Sequence, residues 1–294
     1  MSRIHPASVP ALEEQVIWLT GASSGIGAAL AKALKSRCAG LVLTSRNREA
    51  LEQLAQGQSN ILVAPADITD RRQMHHAAEL IQAQFGKIDT LIANAGTCEY
   101  LDIRQFDVGL IKRVFNTNLN GLIHTLEVAL PLIRQSRRGY VVGMSSSATY
   151  LPLPRAEAYG ASKAAVSYLL ESLRGDLAAE QIDVSIISPG FVKTPLTDRN
   201  DFPMPMRITP EQAATSIVRG LERRPWEIHF PRRFTLLLKL LGLLPPSLRL
   251  TLTSKIAARH QHQHQHQHQH QHQHQHQHQP DHSSTTPDKK RDSL

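Results

Sequence analysis

The chain is short of cysteine, of acid between residues 219 and 259 and of long apolar runs, and each shortage narrows what it can be. Its 294 residues hold two cysteines, Cys38 and Cys98. They stand far apart, with no Cys-x-x-Cys pair and no histidine at a metal-ligand spacing, so neither a disulfide framework nor a zinc site is indicated. Both read as reduced thiols, and no metal is expected. No apolar run approaches the ~20 residues that span a bilayer. The chain reaches a strand-like run by Gln15 without the basic and then apolar order of a secretory leader, so a cytoplasmic protein is the expectation.

Segment 219–259 carries nine Lys/Arg against two Asp/Glu, which places +7 of the formal net charge of +8 there. Charge gathered at one end is not a nucleic-acid-binding face, and no nucleic-acid partner is expected. Beyond these shortages the composition is that of an ordinary globular protein, with 41% hydrophobic and 20% charged residues.

Short Val/Ile/Leu-rich runs recur, each followed by a longer stretch of helical spacing, which is the signature of βα units. Strands are expected at Val16–Thr20, Leu41–Thr44, Ile61–Pro65, Thr90–Ala93, Tyr140–Met144, Val184–Ser188 and Glu227–Phe230. Helices are expected at Gly25–Ser36, Arg48–Gln56, Arg71–Phe85, Phe106–Arg134, Ala158–Glu180 and Pro210–Arg223. Right-handed crossovers then build an α/β fold, a single Rossmann-type doubly wound parallel sheet of about seven strands.

The expected organisation is an N-terminal arm (1–13), the dinucleotide-binding and catalytic domain (14–230), a basic leucine-rich helical extension (231–259) and a tail (260–294). The extension reads as a substrate lid, a dimer contact or a peripheral membrane contact, with packing on the domain or across a homodimer preferred to the membrane. In the tail, His and Gln alternate from His260 to Gln279, and such a tract cannot bury enough apolar surface to offset its ordering entropy, so disorder is expected.

The first strand runs into Thr20-Gly21-Ala22-Ser23-Ser24-Gly25-Ile26-Gly27. Glycines at 21, 25 and 27 allow a tight turn and close approach of a pyrophosphate to a helix N-terminus, whose free N–H groups attract anions. After the second strand comes Thr44-Ser45-Arg46-Asn47-Arg48. An NAD-preferring site usually has a carboxylate there for the ribose 2′-hydroxyl. None is present, and Ser45 and Arg46 are suited instead to a 2′-phosphate. Arg48 serves equally well as a solvated residue at a helix start. NADP(H) is therefore the expected cofactor, with NAD(H) as the alternative.

Tyr159 and Lys163 stand four residues apart, on one face of a helix. An ammonium beside a phenol stabilises the phenolate and so permits proton transfer near neutral pH. Ser146 lies at the end of the fifth expected strand, thirteen residues before Tyr159, where its hydroxyl can reach a substrate oxygen.

Taken together, residues 14–230 resemble the short-chain dehydrogenase/reductase family. Its Thr-Gly-x-x-x-Gly-x-Gly is matched by Thr20–Gly27, its Asn-Ala-Gly by Asn94, Ala95 and Gly96, and its serine and Tyr-x-x-x-Lys by Ser146, Tyr159 and Lys163. The resemblance implies that Asn118 holds a water linking the lysine to a proton relay. It implies that Asp67 and Ile68 lie beside the adenine, and that Pro189, Gly190, Val192 and Thr194 bind the nicotinamide amide. Ala93 stands where the family often has a second asparagine.

The implied activity is hydride transfer between NADPH and a carbonyl or alcohol, with Tyr159 as general acid/base, in a homodimer or homotetramer. Leu196, Phe202, Met204 and Met206, with the leucine-rich extension, point to a lipophilic substrate. Rival readings are a catalytically silent NADPH sensor or scaffold, and an epimerase or dehydratase on the same fold.

Overall fold

The computed structural model describes residues 9–198, 200 and 203–254. Residues 1–8, Phe202 and everything from 255 onward, including the His-Gln tract, lie outside the described residues.

Seven parallel strands form one sheet in the order β3-β2-β1-β4-β5-β6-β7. They are β1 (Val16–Thr20), β2 (Gly40–Thr44), β3 (Ile61–Val63), β4 (Thr90–Ala93), β5 (Tyr140–Met144), β6 (Asp183–Pro189) and β7 (Glu227–Phe230). Strands β1, β2, β4 and β5 are buried along their whole length, as expected for a sheet covered on both faces. The two-residue alternation of side chains sorts them between two cores. Ile17, Leu19, Leu41, Leu43 and Ile92 face one core; Trp18, Val42 and Leu91 face the other.

The first core is roofed by α1 (Gly25–Leu34), α2 (Arg48–Ala55) and α7 (Pro210–Arg223), and the second by α3 (Arg71–Phe85), α5 (Gly121–Ile133) and α6 (Glu157–Ala178). Side chains written into the sequence start several of these helices. Asn47 caps α2, Asp70 caps α3, and Thr209 forms a reciprocal capping box with Gln212 ahead of Pro210 on α7.

The helix expected over Phe106–Arg134 is instead divided. α4 (Val108–Phe115) passes through a five-residue π turn, Asn116–Asn120, into α5. The insertion buries Asn118, and such turns buy a side-chain direction that a regular helix does not offer. Strand β3 also ends at Val63 rather than Pro65, where its pairing with β2 stops.

Beyond β7 the chain forms α8 (Arg232–Gly242) and a further helical stretch, 246–254. Among the described residues, no helix is long and apolar enough to cross a membrane.

Candidate active site

Strand order reverses between β1 and β4, and the crevice outside the carboxyl ends of such a pair is where parallel sheets bind ligands. The turn after β1 is held there by Asn94. Its amide donates to the Thr20 and Gly21 carbonyls at 3.0 and 3.1 Å. The Thr20 hydroxyl in turn accepts from the Asn94 and Ala95 backbone N–H groups at 3.2 and 3.3 Å. Thr20 therefore joins β1 to β4.

Gly21 and Gly25 have φ of 67° and 53°, the left-handed region that favours glycine. A Cβ on Gly27 would fall inside the Gly21 carbonyl, and one on Gly25 would meet Thr194 Cγ2 at 3.0 Å. Ser24 precedes α1 in extended conformation without a side-chain cap hydrogen bond. The first-turn N–H groups of α1, from Gly25 through Ile26 and Gly27, thus have no side-chain acceptor from Ser24. This is the donor set and the side-chain-free space that a pyrophosphate needs, so the residues fit a dinucleotide.

At the end of β2, Ser45 is buried and its hydroxyl accepts from the Asn47 N–H at 3.2 Å. Arg46 has a side chain 81% exposed, with Nη1 3.9 Å from Asp67 Oδ2. Arg48 pairs with Glu52 along α2 at 3.3 Å. Asp67 accepts from the Thr69 backbone and hydroxyl at 2.9 and 2.8 Å, and Ile68 is buried against the start of α5.

Ser146, Tyr159, Lys163 and Asn118 come together at the ends of β4 and β5. The Ser146 hydroxyl hydrogen-bonds the Tyr159 phenol and also accepts from the Ala148 N–H at 3.1 Å. Lys163 is 3% exposed; its Nζ donates to the Met144 carbonyl at 2.8 Å and lies 6.0 Å from the Tyr159 ring centroid. Asn118 Nδ2 donates to Ser162 Oγ and the Thr97 carbonyl, both at 2.9 Å, while Oδ1 accepts from Thr97 N–H at 2.8 Å. A Cβ on Gly96 would stand 3.0 Å from Asn118 Oδ1 and 3.2 Å from Lys163 Nζ. Gly96 thereby keeps open the space that both polar groups border.

Burial pushes the Tyr159 phenol well above its ordinary value, negative charge at Cys98 acts in the same direction, and the Ser146 hydrogen bond opposes them. Burial likewise lowers Lys163 from 10.5 to about 8. Desolvation sets the direction for the phenol in the free protein, because removing water raises a phenol strongly.

Ser145 faces away from the cleft. Its hydroxyl donates to the Lys163 carbonyl at 3.2 Å and meets Ser167 Oγ at 2.6 Å, which fastens α6 to β5.

The far wall follows β6. Pro189 ends that strand, and Gly190 donates to the Phe230 carbonyl at 2.7 Å. A Cβ on Gly190 would meet the Phe234 ring of α8 at 2.7 Å. Val192 is bridged to Ile208, and Thr194 is buried over Gly25.

Two groups of residues escaped the sequence reading. Cys98 and Tyr100 hydrogen-bond each other, and both lie within electrostatic reach of Tyr159. Position 98, two residues past Asn-Ala-Gly, was the available signal. Glu227 gathers Tyr150, Ser188 and Lys239 around one carboxylate, which fixes α8 beside the loop that follows Ser146.

Residues 15–202 match the family model for short chain dehydrogenase. Among curated relatives, an uncharacterized oxidoreductase of Staphylococcus epidermidis is 32% identical over 211 residues, covering 71% of this chain and 92% of its own. The 11-beta-hydroxysteroid dehydrogenase 1A of Arabidopsis thaliana is 36% identical over 194 residues, 64% of this chain and 55% of that protein. The solved structure of a short chain dehydrogenase/reductase from Burkholderia phymatum, in complex with NAD, superposes with a TM-score of 0.71 at 24% identity. It covers 79% of this chain and 94% of its own. This chain belongs to the short-chain dehydrogenase/reductase family of oxidoreductases.

Proposed function

We propose that this protein is an NADPH-preferring reductase of lipophilic carbonyl compounds, with Tyr159 as the proton donor. The observation that carries the reading is the hydrogen bond from Ser146 to a Tyr159 phenol held above its ordinary value, next to a buried lysine ammonium. When bound, the nicotinamide supplies a hydride to the carbonyl carbon.

The chain's own residues do the rest. Gly21, Gly25 and Gly27 admit the pyrophosphate against the α1 N-terminus. Arg46, exposed and without a carboxylate after β2, takes the 2′-phosphate. Pro189, Gly190, Val192 and Thr194 orient the nicotinamide end. Ser146 donates to the substrate oxygen as negative charge grows on it, and Tyr159 delivers its phenolic proton to that oxygen. Like an ordinary phenol, Tyr159 is protonated at neutral pH and so holds the proton that reduction consumes. Lys163 then stabilises the phenolate, and Asn118, across the gap left by Gly96, borders the path by which a proton returns.

The apolar residues Leu196, Met204 and Met206, with the α8 cover over Phe191, favour a lipophilic substrate. The protein is expected to work as a homodimer or homotetramer in the cytoplasm.

The test is a paired NADPH and NADH turnover screen. It sets steroid, retinoid and fatty carbonyls against short polar aldehydes and sugars, with Tyr159→Phe as control. Turnover should favour NADPH and the lipophilic panel, and the variant should lose about 10²-fold or more in kcat while still binding NADPH. Near-normal turnover in the variant defeats the assignment of Tyr159. NADPH bound without oxidation across the panel makes the protein a sensor instead.

A further inference from the structure

Helix α8 is anchored by one face only. Phe234, Thr235 and Leu238 are buried, packed with Leu151 and Phe191, and Lys239 is held by Glu227. The opposite face repeats with helical spacing through Arg233, Leu236, Leu237 and Leu240, and Leu243 extends it. All four leucines are exposed, Leu240 by 64% and Leu243 by 83%. The following stretch, 246–254, adds exposed Leu248 and Leu250. Within residues 231–254 stand Arg232, Arg233, Lys239 and Arg249, and no carboxylate. Exposed apolar surface on this scale marks an interaction site.

We propose that this face is a docking surface for an anionic lipid bilayer. The leucines enter the boundary between headgroups and acyl chains while Arg232 and Arg233 meet anionic headgroups. Charge selects this occupant over a second copy of the chain. A two-fold contact sets the same patch against itself, so it would oppose cations to cations with no carboxylate in the segment to neutralise them. An anionic headgroup layer supplies the missing charge. The inner face of the same helix packs beside the loops that carry Leu151 and Phe191, next to Ser146 and Val192, so docking brings the rim of the cleft to the lipid surface. The proposal stands independently of the hydride-transfer reading.

The experiment is cosedimentation of the full-length chain with vesicles of phosphatidylcholine, alone or mixed with phosphatidylserine. A chelator and a pH above the histidine range keep the His-Gln tract neutral and metal-free. The protein should follow the mixed vesicles, come off as salt rises, and stay in solution with phosphatidylcholine alone. The triple variant Leu236→Glu, Leu237→Glu, Leu240→Glu should lose about tenfold or more of this partition with its thermal melting unchanged. Equal binding by the triple variant overturns the proposal, as does failure of the native chain to bind mixed vesicles. A native dimer that the triple variant turns into a monomer, without vesicle affinity in either, assigns the face to a second copy instead.

Discussion

Replacing Lys163 with methionine should make the cofactor-free protein more stable while destroying its turnover. The ammonium is buried, its hydrogen-bond acceptor is the Met144 carbonyl at 2.8 Å, and burial has lowered it from 10.5 to about 8. That depression corresponds to about 3 kcal/mol against folding near neutral pH. Losing the hydrogen bond to Met144 costs back about 1 kcal/mol, and methionine fills a similar volume. The expected net gain is about 2 kcal/mol.

The sign follows from which state holds the proton more weakly. Below about pH 8 both states keep it, and the folded state alone must keep it away from water, so the penalty is complete. Between about 8 and 10.5 the folded lysine sheds its proton first; the unfolded chain then binds more protons, and stability rises with pH. Above that range both forms are neutral and the penalty is gone. Urea unfolding of the native chain and the variant, without NADPH, at neutral pH and again above the upper limit, measures both ends. A native chain as stable as the variant at neutral pH, or a gap that does not close in base, would refute the reasoning.

Three other substitutions probe the remaining parts. Gly27→Ala sets a methyl against the Gly21 carbonyl, backbone on backbone; NADPH binding measured by nicotinamide fluorescence should vanish and stability fall by about 1–3 kcal/mol, whereas intact binding would remove this turn from the cofactor site. Arg46→Ala should raise the KM for NADPH about tenfold or more through lost charge-assisted bonds and leave NADH nearly unchanged, so an unchanged NADPH to NADH ratio excludes Arg46 as the selector. Glu227 is pushed up by burial, yet the hydrogen bonds from Lys239, Ser188 and Tyr150 hold it below the usual carboxylate range. Its anchoring of α8 is therefore complete above the ordinary carboxylate value and fades as pH falls through the lowered one. Glu227→Gln should cost about 1–3 kcal/mol and speed proteolysis within 231–254 at neutral pH, and equal proteolysis of the two proteins would show that the cluster does not hold the helix.

What the sequence disclosed and what it hid divide along a physical line. The strands were legible because a parallel sheet covered on both faces demands nearly continuous apolar runs, and each of β1, β2, β4 and β5 supplies one. The glycine turn and the Tyr159–Lys163 pair were legible because each depends on residues a few positions apart, whose geometry a helix or a turn dictates without the rest of the fold. The π turn was hidden because Asn116–Asn120 satisfies helical periodicity on either side, and only the pull of Asn118 toward Thr97 and Ser162 distinguishes it. Cys98 read as an ordinary buried thiol because its neighbours Tyr159 and Lys163 are some sixty residues away, and only the β4–β5 pairing makes them adjacent. The Glu227 cluster was hidden for the same reason, since it joins β7, β6, α8 and the loop after β5. Local chemistry therefore points to the reaction class, while the contacts made across strand ends, Cys98 with Tyr100 on one side and Glu227 with Tyr150 and Lys239 on the other, would flank the substrate under the function proposed above. Specificity should accordingly respond to changes at those cross-strand contacts, and the reaction class should not.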